Sequence, residues 1–385
     1  MLNQSVGLNR LSNIVFALLV SLIICIPLIK TDWRGGGISE SEKRELAAMP
    51  RFFIEDGINE SYAADLEKWI NDNIGLRDEL VLFNAKIQYY LFNNLSNNSD
   101  MYLGDNGELN YATANMIDDY QNEDIPTIDF LNRVAEGYNI ADKFFESQGI
   151  SFYYFQCWDK HSIYPEHFPS TVIRREGNSR VDVIVQYLID NTNVNIINPK
   201  EDLIQNKPIY DTYSLWGDPT HWTERGAYIG YLKLMETINS QEQCDYTILA
   251  EDDYQIDMVD AGSTLFGGVH KTCFEERFTV NQTNAILCNE KLTVGADDYR
   301  NRFYSNDAVD NNTTILFICD SYFYNYIIDD IAESFNNTIC LHSSYLNDLD
   351  QIIVDYEPDI VVVENAERCQ YNFGIFANYM IDNID

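Results

Sequence analysis

The stretch Thr314–Asn325, "TILFICDSYFYN", is an apolar run that stops at Asp320-Ser321 and resumes with helical character. A serine at such a junction either caps the new helix or serves as a nucleophile. As a nucleophile it needs a base, and the base needs a group to orient it. The 385-residue chain has five histidines: His161, His167, His221, His270 and His342. Of these, His221 stands in "WGDPTHWTERGAY", just before a predicted helix. Asp218, three residues earlier, is placed to accept from its other ring nitrogen, fixing the tautomer and stabilising the imidazolium. Each residue alone also reads as structural, the serine as an N-cap and the histidine as part of an Asp-Pro turn. Their coincidence at the ends of predicted sheet elements is what points to acyl chemistry.

Other polar residues fall near the same strand ends. Trp158, Lys160 and His161 lie in "WDKHSIYPEHFP", a loop leaving a predicted strand, where they either line the cleft or pack it. Trp158, Trp216, Trp222 and Tyr322 read equally as an aromatic floor for a sugar ring or as core aromatics. His161 and His167 raise the question of a metal, but no third ligand follows at a recognised spacing. The expectation is no metal and no cofactor.

The elements that must position these residues show in the periodicity. Residues 38–127 begin as a helical lead-in, with Leu66, Trp69, Ile70, Ile74 and Leu76 at near-helical spacing and Gly75 as the break. "GDNGEL" at Gly104–Leu109 reads as a turn between short strands. Residues 128–385 alternate helix and strand. Helices are expected at Ile128–Ser147, near Arg180–Asn191, in "TERGAYIGYLKLMETI", in "YNYIIDDIAESF" and in "YLNDLDQIIVDY". The strands "GISFYYFQ", "VNIIN", "TTILFI", "NTICLH" and "DIVVVEN" are apolar throughout, which implies a mostly parallel sheet covered on both faces, an α/β/α three-layer domain. Between about residues 240 and 310 the alternation fails, and an insertion of loops and short strands is expected there. Ligands of such a sheet bind at the carboxyl ends of its strands, where Ser321 would sit.

Residues 1–37 differ. Leu11–Ile29, "LSNIVFALLVSLIICIPLI", carries no charge, is long enough to span a bilayer, and is followed by the linker "RGGG". No A-x-A site is evident, so an uncleaved signal anchor is expected, with the bulk of the chain on the extracytoplasmic side; cleavage after the segment is the alternative. The flanking charges, Arg10 before and Lys30 and Arg34 after, set orientation only weakly. Sequons at Asn59, Asn94, Asn97, Asn281, Asn311, Asn312 and Asn336 are compatible with export. Cys319 and Cys340 end apolar strands and read as small hydrophobes, while Cys244, Cys273 and Cys288 leave room for a disulfide. The net charge of -36, without a basic stripe, excludes nucleic acid as a partner.

The blocks "GDPTHWTERGAYIGY" and, about a hundred residues later, "LFICDSYF" resemble polysaccharide O-acetyltransferases of the alginate-acetylation type. These belong to the SGNH-hydrolase superfamily, together with DHHW-type proteins. "SESEKRELAAMP", "LEKWINDNIGLRDEL", "WDKHSIYPEHFP" and "EPDIVVVENAERC" are similar to further stretches of that family, so the likeness covers most of residues 38–370. The resemblance implies a serine nucleophile that carries an acetyl group, a histidine base and an aspartate orienter: Ser321, His221 and Asp218. The histidine block precedes the serine block, as in the permuted acetyltransferase branch. Related proteins often have the aspartate two residues before the histidine; here Pro219 holds that place. The implied function is O-acetyl transfer to an extracellular or cell-surface polysaccharide. The acetyl donor would come from a membrane-bound O-acyltransferase. A carbohydrate acetylesterase and a non-catalytic polysaccharide-binding or assembly protein are the competing readings.

Overall fold

The computed structural model describes residues 2–33, 35–39, 44–54, 57–92, 94–95, 100–265 and 269–384. Arg34, Asn97, residues 40–43 of "SESEKRELAAMP" and residues 266–268 lie outside them. The chain divides into two compact units, Met1–Asn97 with Leu265–Val269, and Asn98–Thr264 with His270–Asp385.

The first unit is led by a helix α1, Leu2–Lys30, with Pro27 in its last turn. Its segment Asn13–Lys30 has a mean hydropathy of 2.4 and is long and apolar enough to cross a membrane; a signal sequence has the same character. Helices α2, Tyr62–Asn73, and α3, Arg77–Phe92, follow. Trp69 is the buried member of the apolar spacing on α2, whereas Ile70 is exposed. The break between them falls where Gly75 was expected to place it. A Cβ at Gly75 would stand 2.3 Å from the Lys30 carbonyl carbon, so only glycine admits this approach, and Leu76 completes the turn at φ +61°.

The second unit contains the alternating elements. In chain order they begin with α4, Ile128–Ser147; β1, Ser151–Cys157; α5, Arg180–Asn191; β2, Asn195–Ile197; and α6, Glu224–Glu242. Next come β3, Tyr254–Asp260; β4, Phe274–Val280; β5, Ile286–Leu287; and β6, Arg302–Ser305. The remainder is β7, Thr314–Cys319; α7, Ser321–Tyr324; α8, Ile328–Ala332; β8, Asn337–His342; α9, Leu349–Tyr356; β9, Ile360–Ala366; and α10, Asn372–Asn383. Seven strands form one sheet in the order β5-β6-β8-β7-β9-β1-β2. The five from β8 to β2 are parallel, and β5 and β6 extend the edge antiparallel.

Alternate side chains of β1 show why the strands are apolar throughout. Phe152 packs on Phe145 of α4 and Phe376 of α10, and Tyr154 on Tyr138 of α4. On the opposite face Phe155 meets Trp222 and Phe323, and Tyr153 donates to Glu242 at the end of α6. Helices therefore cover both faces. From β7 the chain steps to β8 on one side and returns across β7 to β9 on the other. This reversal of strand order opens a crevice at the carboxyl end of β7.

One element differs from the sequence expectation and another is more regular than expected. Within the insertion expected as loops and short strands lies a regular hairpin, β3 with β4, paired over seven residues on each strand. Phe278 of β4 stacks on Tyr228 of α6, but most of the hairpin is half-exposed, which weakened its apolar signal. Of the helix expected over "YNYIIDDIAESF", only α8, Ile328–Ala332, forms; a turn at Asn325–Ile327 separates it from α7, which ends at Tyr324. Local spacing favoured one helix; tertiary contacts of Tyr326 accompany the break. All eight cysteines are free, so no disulfide joins Cys244, Cys273 and Cys288. Cys319 and Cys340 are fully buried, as their strand positions implied.

Candidate active site

Ser321 begins α7, directly beyond the central strand β7. Asp320 fixes the turn from both sides. Its carboxylate accepts from the Tyr322 N–H at 3.0 Å and from the Ala366 N–H at the end of β9, also at 3.0 Å, while its own N–H donates to Glu364 at 2.7 Å. The apolar-to-polar switch in "FICDSY" thus marks a junction tied to the end of the neighbouring strand β9. Because α7 is a single turn, it supplies first-turn backbone donors but little of the dipole expected of a longer helix.

His221 is set by the start of α6. Thr223 caps that helix, accepting from Gly226 N at 3.1 Å, and its own N–H and hydroxyl bond back to Thr212 and Asp211. A Cβ on Gly226 would lie 2.3 Å from the Thr212 carbonyl oxygen, so this glycine lets the strap Asp211–Tyr213 press against the helix start. Asp218 forms an Asx turn: Oδ1 accepts from Thr220 N at 2.7 Å, Thr220 Oγ1 at 2.6 Å and His221 N at 3.1 Å. The turn carries the aspartate around Pro219, which is how a residue three positions before the histidine reaches its ring.

The three residues meet. His221 Nδ1 lies 2.8 Å from Asp218 Oδ2, and His221 Nε2 lies 2.7 Å from Ser321 Oγ. With Nδ1 carrying the hydrogen toward the carboxylate, Nε2 presents its lone pair to the serine hydroxyl; the tautomer is assigned from this network. Burial works to raise the Asp218 carboxyl, but its hydrogen bond and charge interaction with His221, with help from Thr220, hold it well below the usual carboxylate range. Tyr322 and Tyr326 flank the imidazole, their ring centroids 5.0 and 5.6 Å away. The His221 side chain keeps 14% of its surface accessible, so the pair is neither walled off nor free in solvent.

Arg368 is a member of the site that sequence reasoning passed over. It follows β9 in "VENAERC", where only the strand drew attention. Its Nη2 stands 3.2 Å from His221 Nε2, and its Nη1 bonds Asp159 and reaches the Thr220 carbonyl at 3.3 Å. A half-buried arginine beside the Ser321–His221 pair is a fixed cation of the kind that can stabilise a developing oxyanion. Its only sequence signal was a charge at the end of an apolar strand.

The residues named as cleft-lining are placed differently. Trp158, Lys160, His161 and Tyr322 are all buried. Trp158 donates its ring N–H to Asn198 at 2.8 Å and lies under the Lys200 ammonium. Lys160 Nζ donates to the carbonyls of Leu109 and Ser214 at 2.7 and 2.6 Å. Burial pushes its value down to about 8, against the pull of Glu108 and other acids. Tyr322 OH sits among Trp158 O, Asp159 Oδ1 and Thr220 O, so it braces the turn below His221. His161 faces Asp119 and Glu367 in the interior. These side chains support the site from within instead of flooring it. Of the four aromatics, only Trp216 keeps appreciable exposure.

No family model matches the sequence, and no curated protein matches it. Solved structures do. Bacillus cereus PatB1 is similar at 19% identity over 70% of this chain and 96% of that one, with a TM-score of 0.53. The same protein with a sulfonyl adduct gives 18% identity over 74% and 99%, with a TM-score of 0.57. The O-acetyltransferase domain of Pseudomonas putida AlgJ is also among the similar structures, at 14% identity over 74% and 99%, with a TM-score of 0.47. The likeness is one of fold.

Proposed function

We propose that this chain is a serine-dependent O-acyltransferase that moves acetyl groups onto hydroxyls of a polysaccharide outside the cytoplasm. The observation that carries the reading is the 2.7 Å separation of Ser321 Oγ and His221 Nε2, backed by Asp218 at 2.8 Å. The acetyl group and the polysaccharide acceptor are what the sequence resemblance implies.

In the proposed cycle His221 Nε2 takes the Ser321 proton as Oγ attacks the acetyl carbonyl carbon of the donor. Asp218 stabilises the imidazolium, and Arg368 together with backbone donors of the α7 turn stabilises the oxyanion. Collapse expels the donor alcohol or thiol, which takes the proton from His221, and leaves acetyl-Ser321. A sugar hydroxyl then gives its proton to His221 and attacks the acetyl carbon; as the C–O bond to Ser321 breaks, His221 returns that proton to Ser321 Oγ, and the sugar leaves acetylated. The helix α1 serves as an uncleaved anchor, residues 38–127 as the lead-in, and residues 128–385 as the catalytic domain on the extracytoplasmic side. A membrane-bound O-acyltransferase supplies the donor.

The test is covalent labelling. Full-length protein in detergent is treated with a sulfonyl fluoride or an activated acetyl ester, and the adduct is mapped by peptide mass spectrometry. Ser321 is expected to carry it, and Ser321→Ala to carry none. An unlabelled Ser321 in folded protein would favour a binding role. Supplying an acetylated donor with an unacetylated glycan then separates transfer from release as free acetate.

A further inference from the structure

Three side chains distant in sequence converge in the interior of the second unit. Asp119 lies in the helix Ala114–Tyr120, His161 in the short helix Lys160–Ile163, and Glu367 just after β9. Their residue exposures are 3%, 3% and 2%. His161 Nε2 is 3.5 Å from Asp119 Oδ2 and 3.8 Å from Glu367 Oε1, and one donor atom from each residue falls within 4.8 Å of the other two.

These separations have a chemical meaning. A charge-assisted imidazolium–carboxylate hydrogen bond closes to about 2.7–2.9 Å. Donors around a tetrahedral ion, at bonds of about 2.0–2.2 Å, stand roughly 3.4 Å apart. The His161 contacts are too long for the first arrangement and close to the second. An independent observation concerns satisfaction. Asp119 Oδ2 and both ring nitrogens of His161 have no hydrogen-bond partner among the described residues, although all are buried. Orphaned polar atoms at that depth are costly unless something binds them. The other carboxylate atoms are held in place. Asp119 Oδ1 accepts from Arg180 N at 2.8 Å, Glu367 Oε2 from Asp159 N at 2.8 Å, and Glu367 Oε1 from Ser162 Oγ at 2.5 Å. Such outer contacts aim metal ligands.

We propose that Asp119, His161 and Glu367 bind one divalent transition ion of zinc-like preference. Two carboxylates neutralise the ion and a neutral imidazole completes the set, leaving no net charge in the interior. Spacing along the chain could not reveal the site, because its ligands come from three separate segments. The ion ties those segments together. It also fixes Glu367, whose neighbour Arg368 reaches His221.

The experiment uses full-length protein, purified in detergent without a polyhistidine tag, stripped with a chelator and reloaded with Zn²⁺. Retained metal is measured after gel filtration, affinity by calorimetry and stability by thermal melting. We expect one retained equivalent, a melting temperature that falls on stripping and returns on reloading, and binding more than about 100-fold weaker in His161→Gln and Glu367→Gln, beyond the loss typical of outer contacts. Stripped wild type that retains neither Zn²⁺ nor Mn²⁺ overturns the proposal, and this result stands even where the variants fail to fold. Equal retention by wild type and folded His161→Gln also overturns it, because the ion would then sit on the acidic surface.

Discussion

Two histidines in this molecule each face carboxylate oxygen, with opposite consequences. His221 stands at the sheet rim, partly accessible, with one nitrogen on Asp218 and the other on a serine hydroxyl. His161 is buried between two carboxylates, and among the described residues no hydroxyl and no other group hydrogen-bonds its ring nitrogens. His161 follows the end of β1 and His221 precedes α6, and both were visible as chemistry-bearing residues. What separates them is the partner on the second nitrogen. A base needs an acid to deprotonate and room for a substrate, whereas a fully enclosed imidazole among carboxylates can hold a proton or an ion but cannot turn over. Arg368 joins the two regions, bonded to Asp159 on the inner side and adjacent to His221 on the outer.

The largest effects should come from the rim. Ser321→Ala and His221→Gln are expected to lower acetyl transfer by about 10⁴-fold or more, with melting temperatures near wild type, because neither side chain is core packing. A large stability loss with activity retained would reverse the contrast between the two histidines. Asp218→Asn should follow, at roughly 10³–10⁴-fold in kcat, with KM little changed. The carboxyl of Asp218 is held low, so it stays ionised through the neutral range. Asp218 should therefore add no titration of its own to the pH–rate profile in the neutral range, and this should still hold when Thr220 is changed to valine.

Arg368→Met probes the link between the regions. A loss of about 10²–10³-fold in kcat is expected, with partial recovery in Arg368→Lys, since a cation is restored without the planar fork. No difference between the two variants would argue for a packing role.

Lys160 offers a smaller, purely interior test. Its folded value near 8 lies below the ordinary 10.5, so the cost of burying its charge is fully present below about pH 8. Between there and 10.5 the unfolded chain binds more protons than the folded one, and Lys160 makes stability rise with pH. Lys160→Met should flatten that rise by up to about 1.4 kcal/mol per pH unit in denaturant melts. An unchanged slope would mean that the ammonium is better solvated than its two carbonyl partners suggest. Tyr326→Phe should matter least, by less than about threefold in rate, because its hydroxyl is 3.4 Å from Asp218, a weak hydrogen bond.

Much of this architecture was legible in the chain. Long apolar strands such as "TILFIC" and "IVVVENA", alternating with amphipathic helices, can be buried only in a sheet covered on both faces, so the layered α/β fold followed from periodicity. The site was legible where local chemistry concentrated, in the Asp-Pro-Thr-His turn and the Asp-Ser junction, because strand ends and caps are written in short segments. Tertiary structure decided the rest. It broke the helix after Ser321 and set Tyr326 beside His221. It brought Arg368 to the base from the far end of β9, and it sent Trp158, Lys160, His161 and Tyr322 inward. Those outcomes depend on which strands become neighbours, and a sheet order of β8-β7-β9-β1 joins residues that no local spacing relates. Sequence determines what each element can bury and where it must end; only the packed sheet determines which ends share a crevice.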